Sequence, residues 1–123
     1  MKHTALALVA APALVLALGA PVQAAPFAAE QRHVLFVQKE SEDWARQAIL
    51  ECGPAGGTHP RAEDACAAIA EAGSIADIRS TQRLCPLVYD PVIATAYGDD
   101  GIYHETFANQ CVLLSEKGPV FDF

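Results

Sequence analysis

Four widely spaced cysteines constrain the fold of this chain more than any other feature. They are Cys52, Cys66, Cys85 and Cys111. None lies in a Cys-x-x-Cys pair and no clustered histidines accompany them, so we expect no zinc or other metal site. An even number of cysteines in an exported chain predicts two disulfides instead. Four cysteines allow three connectivities, of which the simplest is Cys52–Cys66 with Cys85–Cys111. In the chain-entropy model these closures contribute roughly 3 and 3.5 kcal/mol.

The first residues predict that the chain is exported. Lys2 precedes an uncharged apolar stretch over residues 5–20, which prolines and a glycine leave short for a membrane span. Residues 22–24, Val-Gln-Ala, match the small-residue pattern that an export peptidase cuts after. We therefore predict a signal peptide over residues 1–24 and a secreted, extracellular domain over residues 25–123. That compartment is oxidising and permits disulfides.

The charge balance argues against two classes of partner. The chain of 123 residues has 15 acidic and 8 basic side chains, a net charge of −7, and holds one small domain. Its lysines and arginines are scattered among acids, whereas phosphate binding needs them clustered, so we expect no nucleic-acid partner. There is no basic amphipathic segment for anionic lipid, so we expect no membrane partner.

Runs of β-branched and aromatic residues predict an antiparallel sheet. Two of the runs are separated by Gly-Asp-Asp-Gly at residues 98–101, which suits a tight hairpin. Residues 53–57, rich in glycine and proline, are predicted to form a loop. The expected strands are His33–Val37, a segment near Ile49 and Leu50, Val92–Tyr97, Ile102–Phe107 and a closing strand at Val120–Phe123.

A helix is predicted between residues 60 and 73, and a shorter one follows later. Pro60 suits the first helical turn and Gly73 the end. A single helical turn is expected at Gln110–Leu114. Strands and helices in this order predict a small antiparallel α+β domain. The residues that form one small, apolar face of the first helix are Ala62, Ala65, Cys66, Ile69 and Ala72.

No residue pattern predicts catalysis. No serine lies in a Gly-x-Ser-x-Gly turn, and the histidines form no His-Glu-x-x-His arrangement. We interpret His59 as fixing the start of the first helix, and Trp44 as partly buried core. We therefore expect a protein that is not an enzyme and that needs no cofactor.

The segment at residues 84–91, Leu-Cys-Pro-Leu-Val-Tyr-Asp-Pro, is unusual because two prolines bracket a short apolar run. Pro86 and Pro91 lack N–H donors and have a fixed φ, so the run cannot be a central strand throughout. Two interpretations remain from these residues alone. The segment is either stiff, extended and exposed, or an edge strand in which residues 87–89 belong to the core.

Several short stretches, spread in order over most of the mature chain, point to one family. The most specific is Cys-Pro-Leu-Val-Tyr-Asp-Pro-Val at residues 85–92. The others are Cys52-Gly53-Pro54, Gly57-Thr58-His59-Pro60, Ala65-Cys66-Ala67, Phe107-Ala108-Asn109-Gln110-Cys111 and Val120-Phe121-Asp122-Phe123. Together they resemble the subtilisin-inhibitor family of exported bacterial serine-protease inhibitors. Two departures are a hairpin at residues 98–101 shorter than is usual in the family and an acidic region, residues 39–46, that contains Trp44.

The resemblance implies a five-stranded antiparallel sheet with two helices, the sequential disulfides and a homodimer. It places a reactive bond between Leu87 and Val88. It also implies that Asn109 hydrogen-bonds the backbone around this bond, and the resemblance favours this role. The alternative is that Asn109 only caps the helix that follows. The implied protease-binding loop consists of Leu84, Cys85, Pro86, Leu87, Val88, Tyr89 and Asp90.

These expectations combine into a function, the inhibition of subtilisin-like and chymotrypsin-like serine proteases. The loop would lie in the protease cleft like a substrate. Leu87 would fill the primary pocket, which is worth roughly 1.5 to 3 kcal/mol, and Leu84 a second apolar pocket. A loop held at both ends would keep the amine released at Val88 near the acyl-enzyme, where it recombines. The alternatives are a secreted, non-inhibitory interaction module on the same scaffold and, third, a small hydrolase.

Overall fold

The computed structural model describes residues 31–99 and 101–123, together with Gly19. The predicted signal peptide, except Gly19, and the start of the mature domain lie outside the described residues, so their boundary stays a prediction. The described part confirms the α+β fold, with a five-stranded antiparallel sheet and two α-helices. Its elements are β1 (Gln31–Lys39), β2 (Ala45–Cys52), β3 (Gly56–Gly57), α1 (Ala62–Ala72), β4 (Val92–Gly98), β5 (Gly101–Phe107), α2 (Gln110–Lys117) and a closing 3-10 helix (Gly118–Phe121).

The longest strand, β1, lies at the centre of the sheet, whose order is β3-β2-β1-β4-β5. Leu35 faces Ala48 of β2 on one side and Ala96 of β4 on the other. Because side chains alternate along a strand, this register places Leu35 and Val37 together on one face of the sheet. Both side chains are buried.

The core lies between that face of the sheet and the helices. It combines aliphatic side chains of the three central strands with the apolar sides of α1, α2 and the 3-10 helix. Small residues on β4 and α1 let these layers approach closely. The main buried members are Leu35, Val37, Leu50, Ala65, Ile69, Val92, Ala94, Ala96, Leu113, Val120 and Phe121.

Helix α1 ends where the sequence predicted and begins slightly later. Gly73 adopts a left-handed conformation, φ 90°, and its N–H donates to the Ile69 carbonyl over 2.8 Å, which satisfies one terminal carbonyl. At the other end the cap is Arg61, so Pro60 precedes the helix and does not occupy its first turn. His59, just before Pro60, is buried. Its ring accepts a hydrogen bond from the Arg61 N–H and contacts the Val120 carbonyl.

Three other predictions of local structure were wrong. Helix α2 has eight residues, Gln110–Lys117, and so exceeds the single turn predicted at Gln110–Leu114. Val120–Phe123 forms no strand, because Gly118–Phe121 is a 3-10 helix that buries Val120 and Phe121. The predicted loop at residues 53–57 ends in β3, a two-residue edge strand. Gly57 makes this pairing possible, since a Cβ at its position would collide with the Ile49 carbonyl.

The two disulfides follow the sequential pairing. Cys52–Cys66 joins the end of β2 to α1, and Cys85–Cys111 joins the long segment after α1 to α2. Trp44 is half-buried against the core, as expected, and its ring lies under the Arg46 guanidinium.

The second face of the sheet, which we call the open face, carries an apolar patch. Val34 pairs with Ile49 and with Tyr97, and Tyr97 pairs with Ile102, so these side chains share this face. Ile102 is 71% exposed and Tyr97 stacks edge-on against Phe36. Within the described residues, no helix packs over this patch, and none has the length and apolarity needed to cross a membrane.

Candidate functional site

Residues 73–91 connect α1 to β4 without forming helix or strand. The exposed large apolar side chains of this segment lie within Leu84–Asp90, which we call the exposed loop. Leu84 is 98% exposed, Leu87 is fully exposed, and Val88 and Tyr89 are 57% and 80% exposed. The interpretation of residues 87–89 as edge-strand core is therefore wrong. Large apolar side chains at such exposure are costly to leave in water and mark a contact surface.

Asn109 lies beneath the middle of the exposed loop and is itself buried. Its amide nitrogen donates to the carbonyl of Pro86 over 3.2 Å and to the carbonyl of Val88 over 2.8 Å. These carbonyls flank the residue pair Leu87–Val88. The amide oxygen accepts from the Val112 N–H over 2.9 Å and caps α2. The two interpretations of Asn109 therefore coexist, since each end of one amide serves one of them.

Helix α2 holds the loop covalently as well. Cys111 follows Asn109 by two residues and forms the disulfide to Cys85, with a Cα–Cα distance of 5.7 Å. Pro86 comes next in the loop and fixes φ there. The backbone just before Leu87 is thus restricted by the Pro86 ring, by the Cys85–Cys111 disulfide and by the Asn109 hydrogen bond to the Pro86 carbonyl. Little conformational freedom remains to be lost when a partner binds this part of the loop.

The downstream end of the exposed loop is attached to the sheet. The Asp90 N–H donates to the Ala108 carbonyl over 2.9 Å, and the carbonyl of Pro91 accepts from the Glu40 N–H. The Asp90 carboxylate also pairs with the Lys39 ammonium at 2.9 Å. This hydrogen bond raises the pKa of Lys39 above its ordinary value. Lys39 was not among the residues that the sequence pointed to.

The upstream end is attached to α2 through Ser115, a second residue that sequence analysis missed. We call residues 80–83 the stem. The buried Ser115 hydroxyl accepts from the Arg83 N–H over 3.0 Å, and its carbonyl accepts from the Thr81 N–H over 2.8 Å. Ser115 lies four residues after Cys111, and residues at this spacing share a helix face. That spacing from a cysteine tied to the loop was the available signal.

This arrangement holds the backbone around the Leu87–Val88 bond in place from both sides. The Asn109 amide contacts the backbone on both sides of the Leu87–Val88 bond, and the Leu87 and Val88 side chains are exposed. Among residues 31–99 and 101–123, no three His, Cys, Asp or Glu side chains are grouped to hold a metal ion. The geometry suits recognition of the loop by a partner that binds extended peptide.

The chain is similar in sequence to several known proteins. The sequence model described as "Subtilisin inhibitor-like" matches residues 33–109. The chain is 44% identical over 85 residues to "Subtilisin inhibitor-like protein 5" of Streptomyces fradiae, covering 63% of this chain and 79% of that protein. It is 35% identical over 129 aligned positions to "Subtilisin inhibitor" of Streptomyces albogriseolus, covering 95% and 76%.

A solved structure has a similar fold. It is Streptomyces caespitosus sermetstatin, crystallised in complex with Bacillus licheniformis subtilisin. The TM-score is 0.59 at 28% sequence identity, and the match covers 76% of this chain and 99% of that one.

Proposed function

The chain belongs to the subtilisin inhibitor-like family, and from this membership we propose that it inhibits subtilisin-like serine proteases and, with the same loop, chymotrypsin-like ones. The exposed loop would bind in the protease cleft in the manner of a substrate. Leu87–Val88 would be the bond presented to the protease. The chain would act as a stoichiometric inhibitor and not as an enzyme, and would need no cofactor.

One observation carries this proposal. Leu87 is fully exposed while the carbonyls of Pro86 and Val88, on either side of it, are held by the buried Asn109 amide. An exposed apolar side chain on a rigid backbone is the combination that fills a specificity pocket at low entropic cost. Burying Leu87 contributes roughly 1.5 to 3 kcal/mol. Leu84, equally exposed, would enter a second apolar pocket.

The supports of the loop also explain how it would resist digestion. Cleavage of Leu87–Val88 releases an amine on Val88, but Asp90 remains hydrogen-bonded to Ala108 and paired with Lys39. The other fragment stays attached through Cys85–Cys111. The amine is therefore retained close to the acyl-enzyme at a high effective concentration and can re-form the bond. Hydrolysis becomes slow and reversible.

The proposed function also requires that the protein is secreted. A signal peptide over residues 1–24 would deliver the domain of residues 25–123 to the extracellular medium, where target proteases act. The presence of two disulfides and of no free cysteine among the described residues supports an oxidising location.

We further propose that the inhibitor is a homodimer that pairs through the open face. An apolar patch that includes Val34, Phe36, Tyr97 and Ile102 supports this, because such a patch gains free energy when a second copy covers it. A two-fold symmetric contact of sheet on sheet buries the same side chains of both copies.

Titration of subtilisin with the purified mature chain tests the inhibitory function. We expect activity to fall linearly to zero at one inhibitor chain per active site. Brief incubation at low pH followed by peptide mapping should show a single cut, at Leu87–Val88. Full protease activity at an equimolar dose would contradict inhibition and favour the non-inhibitory interaction module. Cleavage at several bonds would mean that the chain is an ordinary substrate.

A further inference from the structure

The stem that leads into the exposed loop depends on one residue of α2. Residues 80–83 belong to no helix or strand, so their backbone N–H groups have no regular partners. Ser115 supplies two of these partners, its hydroxyl oxygen to Arg83 and its carbonyl to Thr81. The Thr81 hydroxyl donates to the same carbonyl over 3.2 Å.

A second serine extends this arrangement. The Ser80 hydroxyl accepts from the Gln82 N–H over 3.0 Å and lies 3.4 Å from the Ser115 hydroxyl. Gln82 has φ 54°, a left-handed conformation that is unfavourable for a residue other than glycine. Such a conformation persists only where its surroundings hold it. Here the Ser80 hydroxyl accepts from the Gln82 N–H, and the Ser115 hydroxyl accepts from the N–H of the next residue, Arg83.

We propose that Ser115 is a positioning residue that determines how Leu84 is presented to the second apolar pocket of the protease. The proposal rests on the proposed inhibitory function and deepens it. Ser115 is 5% exposed and contacts the stem, whereas Leu84 follows Arg83 directly and is 98% exposed. The hydroxyl of Ser115 therefore acts through the Arg83 backbone on the next side chain.

The proposed effect is local to the upstream half of the loop. Leu87 has its own supports, the Asn109 amide and the Cys85–Cys111 disulfide. Loss of the Ser115 hydroxyl leaves both of these in place. It releases the Arg83 end of the stem, while the bonds from Thr81 to the Ser115 carbonyl remain. Leu84 must then be ordered again when the protease binds, at the expense of affinity.

A double-mutant cycle on the inhibition constant for Bacillus licheniformis subtilisin tests this. We expect Leu84→Ala to weaken inhibition by about tenfold in the parent chain and by about threefold or less in Ser115→Ala, because the unordered leucine already contributes little. Leu87→Ala should weaken inhibition equally in both backgrounds. Ser74→Ala, which removes a hydroxyl that contacts Asp77 and not the stem, is the control and should leave both losses unchanged.

The proposal is overturned if Leu84→Ala weakens inhibition by the same factor with and without the Ser115 hydroxyl. It is also overturned if Ser115→Ala changes the Leu84 and Leu87 losses alike, since that is a general structural effect. If Ser115→Ala does not fold, the exposed Ser80→Ala replaces it in the cycle and should reduce the Leu84 loss in the same direction.

Amide hydrogen exchange of the free protein separates this proposal from the proposed function. We expect Ser115→Ala to speed exchange of the Arg83 N–H by about fivefold, the value of one neutral hydrogen bond, and to leave the Asp90 N–H unchanged. A parent chain that does not inhibit subtilisin contradicts the proposed function, and the exchange result still shows whether Ser115 orders the stem. Unchanged exchange at Arg83 overturns the role of Ser115.

Discussion

At the scale of single residues, Asn109 combines a contact that caps a helix with a contact that holds the exposed loop. Its amide oxygen caps α2 by accepting from Val112, and its amide nitrogen holds the carbonyls on either side of Leu87. The start of the helix and the shape of the loop therefore depend on the same side chain. Substitutions that keep only one of these contacts can separate the two roles.

Asn109→Ser should separate them. Serine retains an acceptor for the Val112 N–H but is too short to reach the carbonyls of Pro86 and Val88, whereas Asn109→Ala loses both contacts. We expect Asn109→Ala to lower the free energy of unfolding by about 1 kcal/mol more than Asn109→Ser. Both variants should be cut at Leu87–Val88 faster than the parent, and at similar rates. Thermal unfolding and timed peptide mapping measure these quantities, and slow cutting of Asn109→Ser would contradict a support role.

Leu87 is expected to determine which proteases are inhibited. Leu87→Lys places a cation where trypsin-type pockets have a carboxylate, so inhibition of trypsin should strengthen by at least about 100-fold while inhibition of subtilisin weakens. The matched control is Leu84→Lys, which adds the same charge at an equally exposed position. Inhibition constants for both proteases give the result. A gain against trypsin with Leu84→Lys and none with Leu87→Lys would show that Leu87 is not the primary contact.

At the scale of secondary-structure elements, the two disulfides have different expected consequences. Cys85–Cys111 holds the exposed loop on α2, whereas Cys52–Cys66 joins β2 to α1. Each contributes roughly 3 kcal/mol or slightly more to stability in the chain-entropy model. Their removal should therefore lower thermal stability by similar amounts but affect inhibition differently.

Replacing Cys85 and Cys111 together by serine should convert the inhibitor into a substrate that subtilisin cuts at Leu87–Val88 and releases. Replacing Cys52 and Cys66 by serine should leave a folded chain that still inhibits at low temperature, because the loop supports persist. Timed incubation with subtilisin below both melting temperatures compares the pairs. Equal resistance of the two variants would mean that the Cys85–Cys111 disulfide does not protect the loop.

The elements also show what the sequence could reveal. Strands β1, β2, β4 and β5 were predicted because their residues are strand-like in composition, and a hairpin sequence lies between the last two. The 3-10 helix at Gly118–Phe121 was not, because Val-Phe-Asp-Phe alternates like a strand and only packing against α1 overrides that pattern. Edge strand β3 consists of two glycines, which have no side chains, so no alternation of apolar and polar residues predicts it.

Only part of the candidate site followed from the sequence. Residues 84–90 and Asn109 came from the resemblance and from the two prolines, because that information is local in sequence. Ser115 lies 32 residues from Arg83 of the stem, and Lys39 lies 51 residues from Asp90 of the exposed loop. Such contacts depend on how the chain packs. The sequence indicates the Ser115 contact only through its helical spacing from Cys111, and it gives no sign of the Lys39 contact.

At the scale of the whole molecule, assembly and inhibition are expected to be separable. Val92, at the start of β4, adjoins the loop, whereas Ile102 pairs with Tyr97 near the other end of that strand. Seven residues of strand separate these ends by about 20 Å. A substitution in the apolar patch near the hairpin should therefore affect dimerisation and leave the loop unchanged.

Ile102→Asp should shift the protein from dimer to monomer, because a buried, unpaired charge is costly in an apolar contact. Ala70→Asp, on the exposed side of α1, is the control and should remain dimeric. Sedimentation equilibrium measures the mass, and titration of subtilisin should give one inhibitor chain per active site for both variants. A parent chain that sediments as a monomer would contradict the homodimer.

Asn109 and Ser115 hold the segment around Leu84 and Leu87 by hydrogen bonds to its main chain. Asn109 binds the carbonyls of Pro86 and Val88. Ser115 binds the N–H groups of Thr81 and Arg83. The outward side chains at positions 84 and 87 take no part in these bonds. Mutation can therefore exchange those side chains while the scaffold keeps its shape. Substitution at these two positions therefore changes which protease pockets the loop fits and leaves the residues that hold its backbone unchanged.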